Sequence, residues 1–316
     1  MTKIGVVGCG SWGGNLVRTM HELGALHAVS DANPATAAAA AERYSVTALD
    51  YPALLADPEI EGVVLATPAH LHAEHALAAI AAGKHVYVEK PIALKPDDAK
   101  TMIAAAEKAD RVLMVGHLLQ YHAAFRKLLE LVRSGEFGSL RYVYSNRLNI
   151  GKLRTEEDVL WSFAPHDLSM IIALAGEKPS EVTGLGSAFL QPLSDFATVH
   201  LAFPSGVGAH VFVSWLHPFK EQKLVAVCEN AMIVFDDTCD WSQKLMCYRH
   251  EARIDKGAPH LVKASGEPIA LEPSEPLKDE CRHFLSCVAE NRRPLTDGEE
   301  ALRVLDVLSE ASVRHA

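Results

Sequence analysis

Nowhere does the 316-residue chain contain an apolar run of about 18 residues free of charge, so no segment reads as a bilayer-spanning helix. The opening MTKIGVVGCGSWGG holds too short an apolar stretch for a signal-peptide core, and the expectation is a cytoplasmic protein without a membrane partner. Positive charge is scarce too. Forty acidic residues against thirty basic ones leave a formal charge of −10, which argues against a surface built to coat nucleic acid. The six cysteines include no CxxC pair and no regular spacing, so neither a disulfide framework nor a zinc site is expected. There is no internal repeat. What is present, 49% hydrophobic and 22% charged residues over a length suggesting two domains, is the composition of a globular protein.

From Lys3 to Val115 short apolar runs alternate with helical stretches, the pattern of βαβ units around a parallel sheet. Strands are expected at 4–7, 26–30, 62–66, 85–88 and 111–115, with a weaker one near Val46, and Asn33 followed by Pro34 predicts a capped helix start. Beyond a helix at 121–134 the rhythm changes to longer β-like segments at 139–149, 180–190, 195–203, 207–216 and 223–235, interrupted by a helix at 164–175. Two helices, at 274–290 and 297–314, close the chain, and 250–273 reads as an extended surface excursion. The expected architecture is α/β: an N-terminal Rossmann dinucleotide-binding domain over residues 1–118 and a C-terminal α+β domain with a large, mostly antiparallel sheet over 119–316.

Gly8-Cys9-Gly10-Ser11-Trp12-Gly13 matches GxGxxG, directly after the first strand and directly before a helix. The glycines allow a tight turn and a pyrophosphate's approach to the helix N-terminus, where unpaired N–H groups point outward. Asp31 follows 23 residues after Gly8, at the end of the second strand, placed to accept from the adenosine ribose diol. A carboxylate there repels a 2′-phosphate, so NAD is expected over NADP. Cys9 reads as a small residue tolerated in the loop.

Ala66-Thr67-Pro68 closes the fourth strand and Glu89-Lys90-Pro91 follows the fifth, two turns at the mouth of a parallel sheet, where ligands bind in open α/β folds. A lysine there can donate to a substrate hydroxyl and stabilise an alkoxide as hydride leaves, or accept the proton itself if its pKa is depressed. A surface lysine after a strand is the plainer alternative. Taken together, GCGSWGGN, ATPAHLHAEHALAAIAAGKHVYVEKP and the second-domain layout resemble the Gfo/Idh/MocA family of nicotinamide-dependent sugar and cyclitol oxidoreductases over essentially the whole chain. The resemblance implies that Glu89, Lys90 and Pro91 border the nicotinamide, with a cis bond before the proline, and that Thr67, Pro68 and His72 line the cofactor. His70, His72 and His75 also invite a metal reading, but no carboxylate or cysteine with ligand spacing accompanies them.

In WSFAPHDLSMIIALAG, His166 falls at a helix start, and the resemblance makes it the acid/base histidine. Relatives commonly carry Asp four residues earlier, whereas this chain has Ser162, which leaves Asp167 or a backbone group to orient the imidazole. In GHLLQYH, two leucines replace a polar run, and His117, Gln120 and Tyr121 are candidates for the substrate end. Arg141, Arg147, Lys152 and Arg154 lie in an acid-free run from Ser139 to Thr155. Two readings stand for it: the solvated face of an edge strand, or a site for an anionic substrate group centred on Arg147 and Asn149, with Arg154 or Lys152 available for a sugar carboxylate. The segments from 116 to 225 look like a narrower branch, the UDP-N-acetylglucosamine 3-dehydrogenases acting before a sugar aminotransferase in 2,3-diamino sugar and lipid A synthesis. The alternatives are a dehydrogenase acting on UDP-N-acetylglucosaminuronate, a 3-ketoreductase of deoxysugar nucleotides and a non-catalytic NAD/sugar sensor. An exposed antiparallel sheet face points to a homodimer or homotetramer.

Overall fold

The computed structural model describes residues 2–151 and 153–311 and the backbone of 314–315, and the chain divides into two compact units. Six strands form the first sheet: β1 (Ile4–Val7), β2 (Leu26–Ser30), β3 (Thr47–Ala48), β4 (Gly62–Leu65), β5 (His85–Val88) and β6 (Leu113–Val115). All run parallel in the order β3-β2-β1-β4-β5-β6. Every residue of β1, β4, β5 and β6 is buried, as strands covered on both faces require. The order reverses between β1 and β4, which opens a crevice at their C-terminal ends. Helices α1 (Gly13–Glu22), α2 (Pro34–Tyr44), α3 (Tyr51–Ala56), α4 (His72–Ala81) and α5 (Pro96–Ala109) connect them. Asn33 caps α2 through Ala35 N, with Pro34 in its first turn, and the short α3, not foreseen from the sequence, is capped by Asp50.

The second unit begins with α6 (Ala123–Ser134) and β7 (Leu140–Leu148), followed by α7 (Val159–Ala175). Its sheet continues with β8 (Glu181–Ser187), β9 (Phe196–Ala202), β10 (Gly208–Ser214), β11 (Glu221–Cys228), β12 (Met232–Asp236) and β13 (Leu245–Tyr248). β14 (Glu251–Asp255) and β15 (Ala258–Val262) form a separate exposed hairpin, while β16 (Glu267–Pro268) and β17 (Arg314–His315) join the two edges of the sheet. The order is β16-β13-β12-β11-β7-β10-β9-β8-β17, antiparallel except for the pairs β7–β10 and β8–β17. Alternate residues of β9 and β10 are buried, and α7 packs on β7, β9 and β10.

Several boundaries differ from the sequence reading. The segment 223–235 is two strands, reversed at Glu229-Asn230, where Cys228 N bonds Ala231 O at 2.9 Å. α7 starts at Val159, not 164, because Asp158 caps it through Trp161 N, and Pro165 sits inside the helix. The excursion at 250–273 contains the β14–β15 hairpin and an edge strand. The larger difference concerns the C-terminal helices α8 (Pro276–Glu290) and α9 (Gly298–Glu310). Glu275–Leu305 packs with the first unit, so the division at 118/119 does not describe the compact units. Cys281, Phe284, Cys287 and Val288 are buried in one cluster with Leu16, Met20, Tyr87 and Met114. An amphipathic stripe announces that a helix has a core face, not which sheet that face covers.

Candidate cofactor and catalytic site

The glycine loop spans β1 and α1, and its three glycines are required for different reasons. Gly8 takes φ +93°, and a Cβ on it would meet Ala66 O at 2.6 Å. A Cβ on Gly13 would overlap the Gly8 carbonyl oxygen, which lies 1.9 Å from its position, so close packing of α1 on β1 demands glycine. A Cβ on Gly10 would meet nothing within 4 Å. The protein's own packing leaves that approach open, and a diphosphate coming up to the loop backbone explains the absence of a side chain. α1 has no side-chain cap and no acid in its first turn, so its leading amides suit an anion. Ser11 and Trp12 are exposed at this end. Asp31 Oδ2 accepts from Cys9 N at 2.7 Å and Oδ1 from Asn33 N at 2.8 Å, which braces the loop while lone pairs on both oxygens remain for a ribose diol. Burial first, then the Asp31 charge, push the Cys9 thiol up to about 11, so it is a thiol rather than a nucleophile at neutral pH. The donor set therefore fits a nicotinamide dinucleotide. Gly13→Ala is expected to unfold the loop and lower Tm, whereas Gly10→Ala should keep Tm and weaken cofactor binding by about tenfold or more, as read by calorimetric titration.

The second and third motifs meet this loop. The Trp12 indole N–H donates to Glu89 Oε1 at 2.7 Å, tying the glycine loop to the turn after β5. Glu89 is buried, and burial raises its carboxyl, opposed by the Trp12 N–H, the Lys90 charge, the Tyr87 hydroxyl and the Lys90 amide. Lys90 is half-buried, and the Lys90–Pro91 bond is cis. His72 corrects an expectation. It is 1% exposed, with Nδ1 2.8 Å from Pro91 O and Nε2 2.8 Å from Thr67 O. It therefore holds the turns after β4 and β5 together from beneath rather than lining the cofactor. Pro68 is exposed, and the Thr67 hydroxyl oxygen is buried without a partner among the described residues. With both nitrogens of His72 so engaged, a metal site at His70, His72 and His75 has no support in this geometry. Among the described residues the grouping with metal-ligand spacing is instead His27, Asp57 and Glu59, where Lys3 already bridges Glu59 at 2.5 Å.

The residues assigned to the substrate end divide. Tyr121 belongs to the core of the first unit, its hydroxyl 3.2 Å from Thr296 Oγ1, so burial and pairing displace the binding role. His117 is 2% exposed and holds Glu300 Oε2 through Nδ1 at 2.5 Å. Gln120 is buried beside it.

In the second unit His166 is half-buried, mid-helix in α7, one turn beyond the buried Ser162. Asp167 does not orient it. One residue on, Asp167 points into the core, where it accepts from Ser145 Oγ and from Arg147 Nε at 2.5 Å and Nη2 at 3.3 Å. Arg147 is consequently not an anion receptor, because its guanidinium is spent on Asp167 at 9% exposure. Arg141 pairs with Glu229 at 2.8 Å and Arg154 with Glu157 at 3.2 Å, while Lys152 lies outside the described residues. The run is acid-free in sequence only, since folding brings acids to it from elsewhere. Asn149 lies just past the end of β7, half-buried. Sequence reasoning missed Glu280, Glu300 and Tyr87. For Glu280 a signal existed: an acid spaced with Phe284 and Cys287 on the apolar stripe of α8.

Two family models account for most of the chain. Residues 2–117 match the oxidoreductase family with an NAD-binding Rossmann fold, and residues 125–234 match the Gfo/Idh/MocA C-terminal domain. A UDP-N-acetylglucosamine 3-dehydrogenase from Acidithiobacillus ferrooxidans is 28% identical over 307 residues, 96% of this chain and 94% of the relative. Its crystal structure superposes with a TM-score of 0.86 over 98% of this chain and 96% of that one. An oxidoreductase from Magnetospirillum magnetotacticum is similar at 29% identity, with a TM-score of 0.86 over 98% and 99% of the two chains. With its glycine loop, its cis Lys90–Pro91 turn and its mostly antiparallel second sheet, the chain belongs to the Gfo/Idh/MocA oxidoreductase family and is a nicotinamide-dependent dehydrogenase.

Proposed function

We propose that this enzyme oxidises the C3 hydroxyl of a UDP-linked amino sugar, with UDP-N-acetylglucosamine as the leading substrate and NAD as acceptor. The observation carrying the chemistry is the lysine held beside the glycine loop: Trp12 fixes Glu89, and the next residue, Lys90, stands on the turn after β5 at the mouth of the sheet. Likeness to the 3-dehydrogenase over nearly its whole length supports the substrate. The bound nicotinamide supplies the hydride acceptor. Lys90 donates to the sugar oxygen and stabilises the charge that develops on it, and His166 takes the hydroxyl proton. Asn149 and Arg154, which keep exposed surface, remain the candidates for holding the sugar nucleotide, whereas His117 and Gln120 are buried like Tyr121. The 3-keto product has the chemistry of a substrate for a sugar aminotransferase, in keeping with 2,3-diamino sugar and lipid A synthesis in the cytoplasm.

Exposed apolar side chains on the outer face of the second sheet support a homodimer or homotetramer. That face and its rim expose Leu185, Phe189 and Leu190 at 50%, 68% and 58%. Absorbance at the NADH wavelength, with NAD and a panel of UDP-sugars, tests the substrate, and no reduction with any of them would sink it. The preference for NAD rests on Asp31. Asp31→Ala should cut NAD efficiency by about tenfold or more and narrow the NAD/NADP ratio, whereas an unchanged ratio in steady-state kinetics would remove Asp31 as the discriminator.

A further inference from the structure

Glu280 is a carboxyl group with no exposed surface, set on α8 beside Cys281, Phe284 and Cys287. Its Oε2 lies 3.0 Å from the Tyr87 hydroxyl, which in turn lies 3.2 Å from Glu89 Oε1. Its other oxygen, Oε1, has no partner among the described residues. The line ends on the candidate catalytic turn, where Glu89 also accepts the Trp12 indole N–H at 2.7 Å and the Lys90 amide at 3.3 Å. Gly116 presses on it from the side. A Cβ there would come within 2.8 Å of the Tyr87 oxygen and 2.9 Å of Glu89 Oε1, so the approach depends on glycine.

The phenol has one hydrogen, and two carboxyl groups face it. Were both ionised, two buried anions would face each other across a single hydrogen that only one of them could accept, a costly state. The surroundings decide which is neutral. Glu89 has two N–H donors and the Lys90 charge. Glu280 has neither, and the titratable groups turned towards it are Tyr87, Glu89, Tyr121 and Cys281, none of them a cation. Burial first, then the Glu89 charge, raise the Glu280 carboxyl well above the usual range. The proton therefore stays on Glu280, which donates to the phenol oxygen, and the phenol hydrogen goes to Glu89. Because the Lys90 charge lowers the Glu89 carboxyl, the coupling is mutual: negative charge on Glu89 stabilises the Lys90 ammonium.

We propose that Glu280 is a positioning residue for the Glu89-Lys90 turn, acting through the Tyr87 hydroxyl on Glu89 and through Glu89 on the Lys90 ammonium. This deepens the catalytic reading of Lys90 and rests on it, but not on the identity of the sugar. The arrangement costs stability. A glutamate raised in the folded state keeps its proton where the unfolded chain releases one, so the stability present below about pH 4.3 is lost as pH rises. Glu280→Gln, neutral in both states, removes that loss and should raise Tm at neutral pH.

The test reads Lys90 without any sugar. Competitive acylation of the full chain across a pH range, with the Lys90 peptide quantified by mass spectrometry, gives the midpoint at which Lys90 loses its proton. Tyr87→Phe should lower that midpoint by roughly one pH unit and Glu280→Leu by roughly half a unit, because Glu89 then holds less negative charge. Glu280→Gln, whose amide N–H replaces the acid's O–H on the phenol oxygen, should restore the wild-type midpoint. Gly116→Ala should lower the midpoint too, and it serves in place of the leucine variant if that one fails to fold. If Tyr87→Phe and Glu280→Leu keep the wild-type midpoint, or if the glutamine variant falls with the leucine variant, Glu280 is a packing residue and the proposal is wrong. A shifted midpoint in a protein that reduces NAD with no UDP-sugar would overturn the substrate reading and leave this one standing.

Discussion

Lys90→Ala is expected to lower kcat by about two to four orders of magnitude while leaving cofactor affinity within about twofold. Both halves follow from the turn. On the proposed reading the cofactor is gripped by backbone and carboxylate groups, the loop at Gly8–Gly13 and Asp31, none of which bonds the ammonium. In the proposed reaction Lys90 adds its charge where negative charge develops on the sugar oxygen, an interaction stronger in the transition state than in the ground state. Truncation also removes the cation nearest Glu89, so the Glu89 carboxyl should rise further and the Trp12 contact should weaken slightly. Single-turnover kinetics with calorimetric cofactor titration separate the two effects. A variant that turned over near the wild-type rate would move the chemistry away from this turn.

Arg147→Ala should destabilise the protein by about 3–5 kcal/mol, a loss of roughly 10 °C or more in Tm. Asp167 is 1% exposed on α7, and without Arg147 its remaining side-chain partner is Ser145 Oγ, a neutral hydroxyl. An uncompensated buried carboxylate is the costly outcome, so Arg147→Met combined with Asp167→Leu should recover most of the loss. A receptor for a substrate anion behaves otherwise, raising KM with Tm unchanged. Differential scanning calorimetry beside steady-state kinetics distinguishes the two roles, and a variant with wild-type Tm and raised KM would restore the anion-site reading of the 139–155 run.

These two residues mark the limit of what was legible in the chain. The parallel sheet, its Gly8–Gly13 loop, Asp31 and the Lys90–Pro91 turn could be read because each depends on local order: a strand, a tight turn, a helix start. Arg147 was misread because its partner lies 20 residues away on another element, and strand alternation shows which side a residue faces without showing what waits there. His72 was read as lining the cofactor, since its burial beneath the loops was invisible in a histidine-rich stretch. Glu280 lies 193 residues from Tyr87, and no local pattern pairs them.

The return of α8 to the first unit has a consequence for how the chain is made. A ribosome that has released residues up to Tyr121 has delivered all six strands of the sheet, yet Phe284, Cys281, Cys287 and Val288, which complete its core, are still to be synthesised. At translation speeds of about 5–20 residues per second that interval is roughly 10–30 s. During it, the nascent sheet carries an uncovered apolar seam around Leu16, Met20 and Met114. A fragment cut after Tyr121 would carry that seam permanently. Attempts to isolate the nucleotide-binding half as a stand-alone module should therefore splice 275–305 back on, and the native enzyme depends on its last helices to finish what its first strand began.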